Sequence, residues 1–371
     1  MHRKNFRHKN SHLNRNIKIG YFIKKHNSAL FRAQECCIFA KVSLSDTARH
    51  QNATQTAKTI DMENKKTSGP SKVYFCPVIT PDNLIKVYEA LGRPAKGDYV
   101  CAKLSTGEAG NPNHLSTDII KKLILRTGAR IVECNTAYIG HRCNTFDHMQ
   151  TAREHGFTAI AEVDIMDDRG DIELPVRNSR HLKGKAYVGQ NWKDYLFTIV
   201  LSHFKGHPMA GFGGALKNVG IGMQSARGKA WVHTAGRSLD VPIDWEHLPN
   251  TQDEFLESMA EACEAVFDYA GDNIIFINVL NNLSIDCDCV EHPVRAELPD
   301  IGIMASLDPV ALDRACVDQI INNPNPGKKS FIERMEQQHA THLLDYAEQL
   351  GLGTQQYELV NIEPQPLTDP L

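Results

Sequence analysis

The sequence predicts an α/β fold: a mostly parallel sheet with helices on both faces, divided into two sub-domains around a shared cleft. Three observations lead there. Strand, polar loop and helix repeat three times between residues 73 and 163, at about thirty residues per unit, the spacing of β-α-β crossovers. The strands empty into loops rich in Gly, Asn or Asp, the place where open parallel sheets bind ligands. The second half adds unbroken apolar runs of strand length, which read as strands buried on both faces.

Residues 73–79 read as the first strand, and Pro81 with Asp82 opens a helix ending near Leu91 and Gly92. Residues 99–104 form a second strand, followed by the polar loop 105–114 and a helix through Ile119 to Thr127 that Gly128 caps. A third strand at 130–134 leads into the loop 135–142 and a helix over 146–154. A fourth strand at 158–163 precedes an acidic turn at 167–170. The apolar run 196–201 comes next, then a helix at 251–269 and strands at 273–280 and 301–307. Asp308 and Pro309 begin the helix that carries Asp313 and Cys316. A last helix at 331–350 and a closing strand at 357–362 complete one domain over 72–362, with sub-domains at 72–200 and 201–362 and a tail at 363–371.

The 371 residues are 42% hydrophobic and 23% charged, the balance of a globular chain with a sizeable core. No apolar run approaches the roughly 18–20 residues that span a bilayer, so no membrane-spanning helix is expected. Ten unevenly spaced cysteines do not make a disulfide scaffold; reduced thiols in the cytoplasm fit better, some of them serving as metal ligands. The net charge of −3 conceals an asymmetry: residues 1–61 hold 12 Lys and Arg against 3 acids, which leaves the remainder at −12. An acidic body excludes nucleic acid as its main partner, because phosphate binding needs clustered cations. The basic segment 1–71 reads as a disordered tail, a targeting segment, or upstream sequence ahead of a start at Met62.

The chemistry concentrates between Ser202 and His233, where three histidines, three lysines and seven glycines follow an apolar strand. Glycine at this density suits a backbone that presses its N–H groups against a ligand. Gly211, Gly213 and Gly214, with Lys205, Asn218 and the lysine just beyond the turn, Lys217, therefore read as an anion site. Lys217 is also a candidate covalent or catalytic residue. The stretch lacks the Gly-Lys-Ser/Thr of a Walker A loop and the glycine spacing of a dinucleotide fold, which excludes both classes. His203 and His207 stand four apart, as metal ligands or proton carriers do, or as ordinary loop histidines. Cys287 and Cys289 follow a buried strand and could hold a soft metal or part of a cluster, although two cysteines do not close a cluster site. Glu108, Tyr138 and Arg142, on the two earlier polar loops, offer acid–base and carboxylate-binding groups or simply stabilise turns.

Five runs in fixed order carry a resemblance. They are Gly107 to Asn111, Asn135 to Arg142, Ser202 to Asn218, Asn281 to Cys289 and Ser306 to Asp318. Together they resemble the uncharacterised iron–sulfur-centre proteins, the family called domain of unknown function 362, over residues 72–362. The resemblance implies an iron–sulfur cluster or a single transition metal. Many family members insert a four-cysteine ferredoxin segment after the glycine-rich run, whereas residues 236–245 of this chain contain no cysteine there. A shorter likeness is to nickel-pincer lactate racemases, which also set a lysine after a Gly-Gly turn among histidines. It implies that Lys217 anchors a cofactor and that His203, His207 or His233 ligates metal or moves protons. The resulting expectation is a metal-dependent enzyme of redox or isomerase type acting on a small anionic molecule. The alternative is a non-catalytic electron carrier or metal-delivery protein with a redox partner protein.

Overall fold

The computed structural model describes residues 69–95 and 97–365. The basic extension, as far as residue 68, and the end of the tail lie outside the described residues. The elements follow in order: β1 (Ser71–Cys76), α1 (Pro81–Ala90), β2 (Val100–Lys103), α2 (Thr117–Thr127), β3 (Arg130–Glu133), α3 (Thr145–Glu154), β4 (Val163–Ile165), β5 (Asp171–Pro175), β6 (Lys185–Gly189) and β7 (Phe197–His203). Then come β8 (Lys205–His207), β9 (Gly211–Gly213), α4 (Ala215–Gly220), α5 (Ala226–His233), α6 (Gln252–Ala270), β10 (Ile274–Leu280), β11 (Gly302–Ser306), α7 (Pro309–Ile321), α8 (Lys328–Gln337), α9 (His342–Gln349) and β12 (Tyr357–Asn361).

Eight strands form one sheet in the order β12-β1-β11-β10-β7-β2-β3-β4. All neighbours pair in parallel except at β11, which runs antiparallel to both β1 and β10. The predicted α/β class with a mostly parallel sheet is therefore the observed one. The division expected near residue 200 falls inside β7, and β1 lies between β11 and β12, so a single sheet runs through both halves of the chain.

The alternation of side chains along the strands fills two cores. Ile275, Ile277 and Val279 of β10 join Leu84, Ile120 and Leu123 from α1 and α2 on one face. Ile274, Phe276 and Leu280 join Leu216, Phe255 and Val310 from α4, α6 and α7 on the other. Burial on both faces explains why these strands are unbroken apolar runs. The helices start where the sequence offers caps. Thr80 accepts from Asn83 N at 3.1 Å with Pro81 at the first position of α1, and Thr251 and Glu254 form a reciprocal capping box on α6.

Strand order sets the position of the site. From β2 the chain winds outward through β3 and β4, whereas β7 and β10 lie on the opposite side of β2. The loops after β2 and β7 therefore leave in opposite directions and open a crevice at the strand ends.

Two elements differ from expectation. The fourth strand sits at Val163–Ile165 rather than at 158–163, because Gly156 turns the chain at φ 81° into a 3-10 turn over Phe157–Ala159 before it pairs with β3. The last helix is two helices, broken where His339 takes φ 50°. The hairpins β5–β6 and β8–β9 were not foreseen, because their strands lack a long apolar run.

Asp308 caps α7 as its sequence position suggests, accepting from Val310 N at 2.9 Å and Ala311 N at 3.0 Å through Oδ1. Its other oxygen accepts from Ser71 Oγ at 2.7 Å and Thr354 N at 2.9 Å, which ties β1 and the lead into β12 to the same helix. Asp308→Ala should lower the unfolding free energy by about 1–2 kcal/mol, read as a lower denaturant midpoint at unchanged slope.

Candidate functional site

The crevice between the loops after β2 and β7 holds a cavity of about 310 Å³. Five cationic side chains line it, Lys103, Arg142, Lys205, Lys217 and Lys229, against two carboxylates, Glu133 and Asp288. Taking that many charges out of water is costly unless each finds a partner. Four of the five do. Arg142 donates to Glu133 Oε1 at 3.0 Å and to the Tyr138 hydroxyl at 2.9 Å, and Glu108 lies 3.5 Å from its Nε. Lys205 pairs with Asp288 Oδ2. Lys103 donates to Leu104 O at 2.9 Å and Asn218 Oδ1 at 3.0 Å. Lys229 donates to Gln224 O at 2.7 Å.

Lys217 is the fifth. Among the described residues nothing accepts a hydrogen bond from its amine. Burial, reinforced by the charge of Lys205 and opposed by Asp288, lowers its pKa from 10.5 to about 7. Burial likewise brings Lys103 down to about 8, although Glu133 resists it.

Lys217 is held on α4, and α4 is held from behind. Asp313 of α7 accepts from Ala215 N at 2.8 Å and Leu216 N at 2.9 Å, and Asn278 of β10 donates to the same carboxylate at 2.8 Å. Burial pushes the Asp313 carboxyl up to about 6 against these three donors. A Cβ on Gly214 would stand 2.3 Å from Asp313 Oδ1, so only glycine admits this contact. The first amides of α4 serve Asp313, Gly211 and Gly213 belong to the β8–β9 hairpin, and Gly213 and Gly214 line the cavity.

Each histidine is fixed by its partners. His203 has Nε2 at 2.6 Å from Asn281 O and Nδ1 at 2.9 Å from Asp288 Oδ1. Both nitrogens thus face acceptors, one a backbone carbonyl and the other a carboxylate. Burial alone would raise the Asp288 carboxyl, but Lys205 and His203 hold it below its ordinary value. His207 accepts at Nδ1 from Met209 N at 3.1 Å and Ala210 N at 3.0 Å. Burial, Lys217 and His233 keep its pKa well below the ordinary value, so the ring is neutral. His233 donates from Nδ1 to Lys229 O at 2.7 Å, and burial lowers its pKa to about 4, which leaves a free lone pair on Nε2.

Ligand atoms of His207, Cys287 and Cys289 lie within 4.8 Å of one another and could hold a metal ion. The two sulfurs are joined as a disulfide, and a thiolate donor set appears only on reduction. Two thiolates and an imidazole suit a soft or borderline transition metal. Gly206 places the cysteine loop beside His207: its N–H donates to Ser284 O at 2.8 Å, and a Cβ there would stand 2.4 Å from Ile285 Cα.

Of the residues singled out from sequence, the cavity gathers Lys217, Lys205, His203, His207, Asn218, Gly213, Gly214, Tyr138, Arg142, Cys287 and Cys289. It leaves out Gly211 and Glu108. Glu108 stands behind the wall, where it accepts from the Tyr138 hydroxyl and His141 N at 2.9 Å each. Sequence reasoning missed Lys103, Glu133, Asp288 and Asp313. A charged residue ending an otherwise apolar strand was the available signal for Lys103 and Glu133.

Residues 100–318, more than half of the chain, match the family described as a domain of unknown function (DUF362), and the chain belongs to that family. No curated protein matches. Eight chains of solved structures do. One is the lactate racemase apoprotein from Thermoanaerobacterium thermosaccharolyticum, 14% identical at a TM-score of 0.35, with 56% of this chain and 50% of that one covered. Another, from Thermotoga maritima, is 11% identical at a TM-score of 0.37, with 72% and 58% covered. The chain thus spans about half the length of the first and 58% of the second.

An amine whose pKa is lower in the fold than in the open chain penalises the fold while it is charged. For Lys217 that penalty is full below about 7 and fades as pH rises toward 10.5. Lys217→Met should therefore stabilise the protein most at or below neutral pH, and the difference from wild type should shrink steadily above it in denaturant titrations. A constant difference would contradict the assignment.

Proposed function

We propose that the protein is a metal-dependent enzyme acting on a small anionic molecule in this cavity, with chemistry of isomerase or redox type. The observation that carries the reading is the buried excess of positive charge around an unpaired amine, beside a His–Cys–Cys group. An anion entering the cavity would satisfy Lys217 and share Lys205 and Arg142, gaining charge-assisted hydrogen bonds worth about 1.5–3 kcal/mol each. His233 would act as base through Nε2, and Lys217 would exchange a proton near neutral pH.

The donor set fits a metal. Cys287 and Cys289, once reduced, would hold it together with His207, whose Nδ1 lone pair would pass from the Met209 and Ala210 N–H groups to the metal, and a metal bound there would supply Lewis-acid or redox chemistry. Tyr138 and Arg142, braced by Glu108 and Glu133, would orient the anion from the opposite wall. The loaded form needs the cysteines reduced, which suits the cytoplasm and the free thiols at Cys76, Cys101, Cys134, Cys143, Cys263 and Cys316. Among the described residues no helix is long and apolar enough to cross a membrane. A second reading, an electron carrier or metal-delivery protein, is favoured by the sulfur pair alone and has no use for Lys217.

Metal and acid-labile sulfide, measured with a visible spectrum on protein purified reduced and without oxygen, separate the two. The enzyme reading predicts bound metal that Cys287→Ser with Cys289→Ser removes. It also predicts that oxalate perturbs the metal spectrum in wild type and no longer does so in Lys217→Ala, whose metal content is intact. Iron with sulfide and a spectrum indifferent to oxalate would favour the carrier. Full metal content in the cysteine variant would remove the proposed ligand set.

A further inference from the structure

We propose that Lys217 is a nucleophilic amine that condenses with a small carbonyl compound bearing a carboxylate, a 2-oxo acid or an aldehyde acid, to form a Schiff base in the cavity. This rests on the reading of the cavity as a small-anion site and adds the class of substrate.

The geometry separates Lys217 from the other lysines. Lys103, Lys205 and Lys229 are each held in place by acceptors at their amines, which restrains them from turning toward a substrate. Lys217 has a cavity in front of it and no acceptor among the described residues. Its stem and that of Lys205 converge on Gly213: a Cβ built there would lie 3.6 Å from Lys217 Cδ and 3.9 Å from Lys205 Cε. A second ammonium at such range disfavours the charged form of the first, which is how amines are made nucleophilic at neutral pH. The lowered pKa of Lys217 follows the same logic. The base is rigid, because Asp313 pins the first turn of the helix that bears it.

The substrate class follows from what surrounds the amine. A neutral carbonyl would leave the positive excess unanswered, whereas a carboxylate beside the carbonyl meets Lys205 and Arg142. The step is balanced without a further reactant. The Lys217 nitrogen adds to the carbonyl carbon and gives up a proton to the carbonyl oxygen. That oxygen takes a second proton from solvent and leaves as water, and a protonated carbon–nitrogen double bond remains on the lysine. Nothing is oxidised or reduced.

Reductive trapping tests this on the full chain. Protein is incubated with glyoxylate and cyanoborohydride near pH 7.5, and the modified lysines are mapped by peptide mass spectrometry. The expected result is one adduct on Lys217, formed at least about tenfold faster than on any surface lysine, as a depressed amine pKa requires. Oxalate, which has carboxylates but no condensable carbonyl, should slow it, and Lys217→Arg should abolish it while still binding oxalate. Adduct spread evenly over surface lysines, or placed on Lys103, would overturn the covalent step. If oxalate still shields Lys217 from an amine-acylating reagent in that case, the anion site stands and only the Schiff base falls. If oxalate gives no shielding, the anion reading falls with it.

Discussion

Burying five cations around one small cavity is the constraint on which the arrangement of this protein depends. Each unpaired charge in such a place would cost several kcal/mol, so the fold must carry compensating groups to it from distant parts of the chain. Glu133 arrives at the end of β3, Asp288 on the loop after β10, and carbonyl oxygens from Leu104 and Gln224. Burial works to raise the Glu133 pKa, but Arg142 and His148 outweigh it and hold the carboxyl well below its ordinary value. Acceptors reach four of the five groups, two of them only as uncharged carbonyl or amide oxygens, and among the described residues none reaches the fifth. Charge left unanswered by the protein is the plainest way for a structure to specify an anionic ligand.

The doubly wound sheet makes this possible. The loops after β2 and β7 part at the point where strand order reverses, and segments leaving that edge build much of the cavity wall, with Lys229 and His233 of α5 and Trp245 closing it. Lys103 ends β2, Ser202 and His203 end β7, and α4 begins just beyond the β8–β9 hairpin. On the far side, Asp313 reaches from α7 through the space that Gly214 leaves open, so a helix outside the cavity fixes Lys217 within it. Asn278, buried in the middle of the sheet, closes that network.

Much of this was legible in the sequence. The three strand–loop–helix units announced the sheet, because a buried parallel strand must be apolar throughout and a crossover helix must be amphipathic. The glycine-rich run announced the site through its composition alone. What composition could not convey was which partner each group would take. Gly214 stood out as part of a glycine-rich turn, and nothing local showed that it is also the gap through which a carboxylate ninety-nine residues later caps the helix. His203 read as a ligand, a proton carrier or a loop histidine, and nothing local showed that its two nitrogens would face Asp288 and Asn281 O. Asp288 itself stood between two conspicuous cysteines and drew no notice. These are contacts between residues far apart in the chain, and local spacing holds no record of them. The hairpins and the broken last helix were missed for a different reason: their strands are short and half polar, and the helix break at His339 lacks Gly or Pro.

The central claim is that the cavity is an anion site completed by Lys217. Calorimetric titration of oxalate into the full chain at low and moderate salt, beside Lys217→Met, tests it most directly. The account predicts binding that survives moderate salt, because the charges are buried, and that weakens roughly tenfold or more when the amine is removed. Equal affinity in the two proteins, or no binding to wild type at either salt concentration, would contradict it.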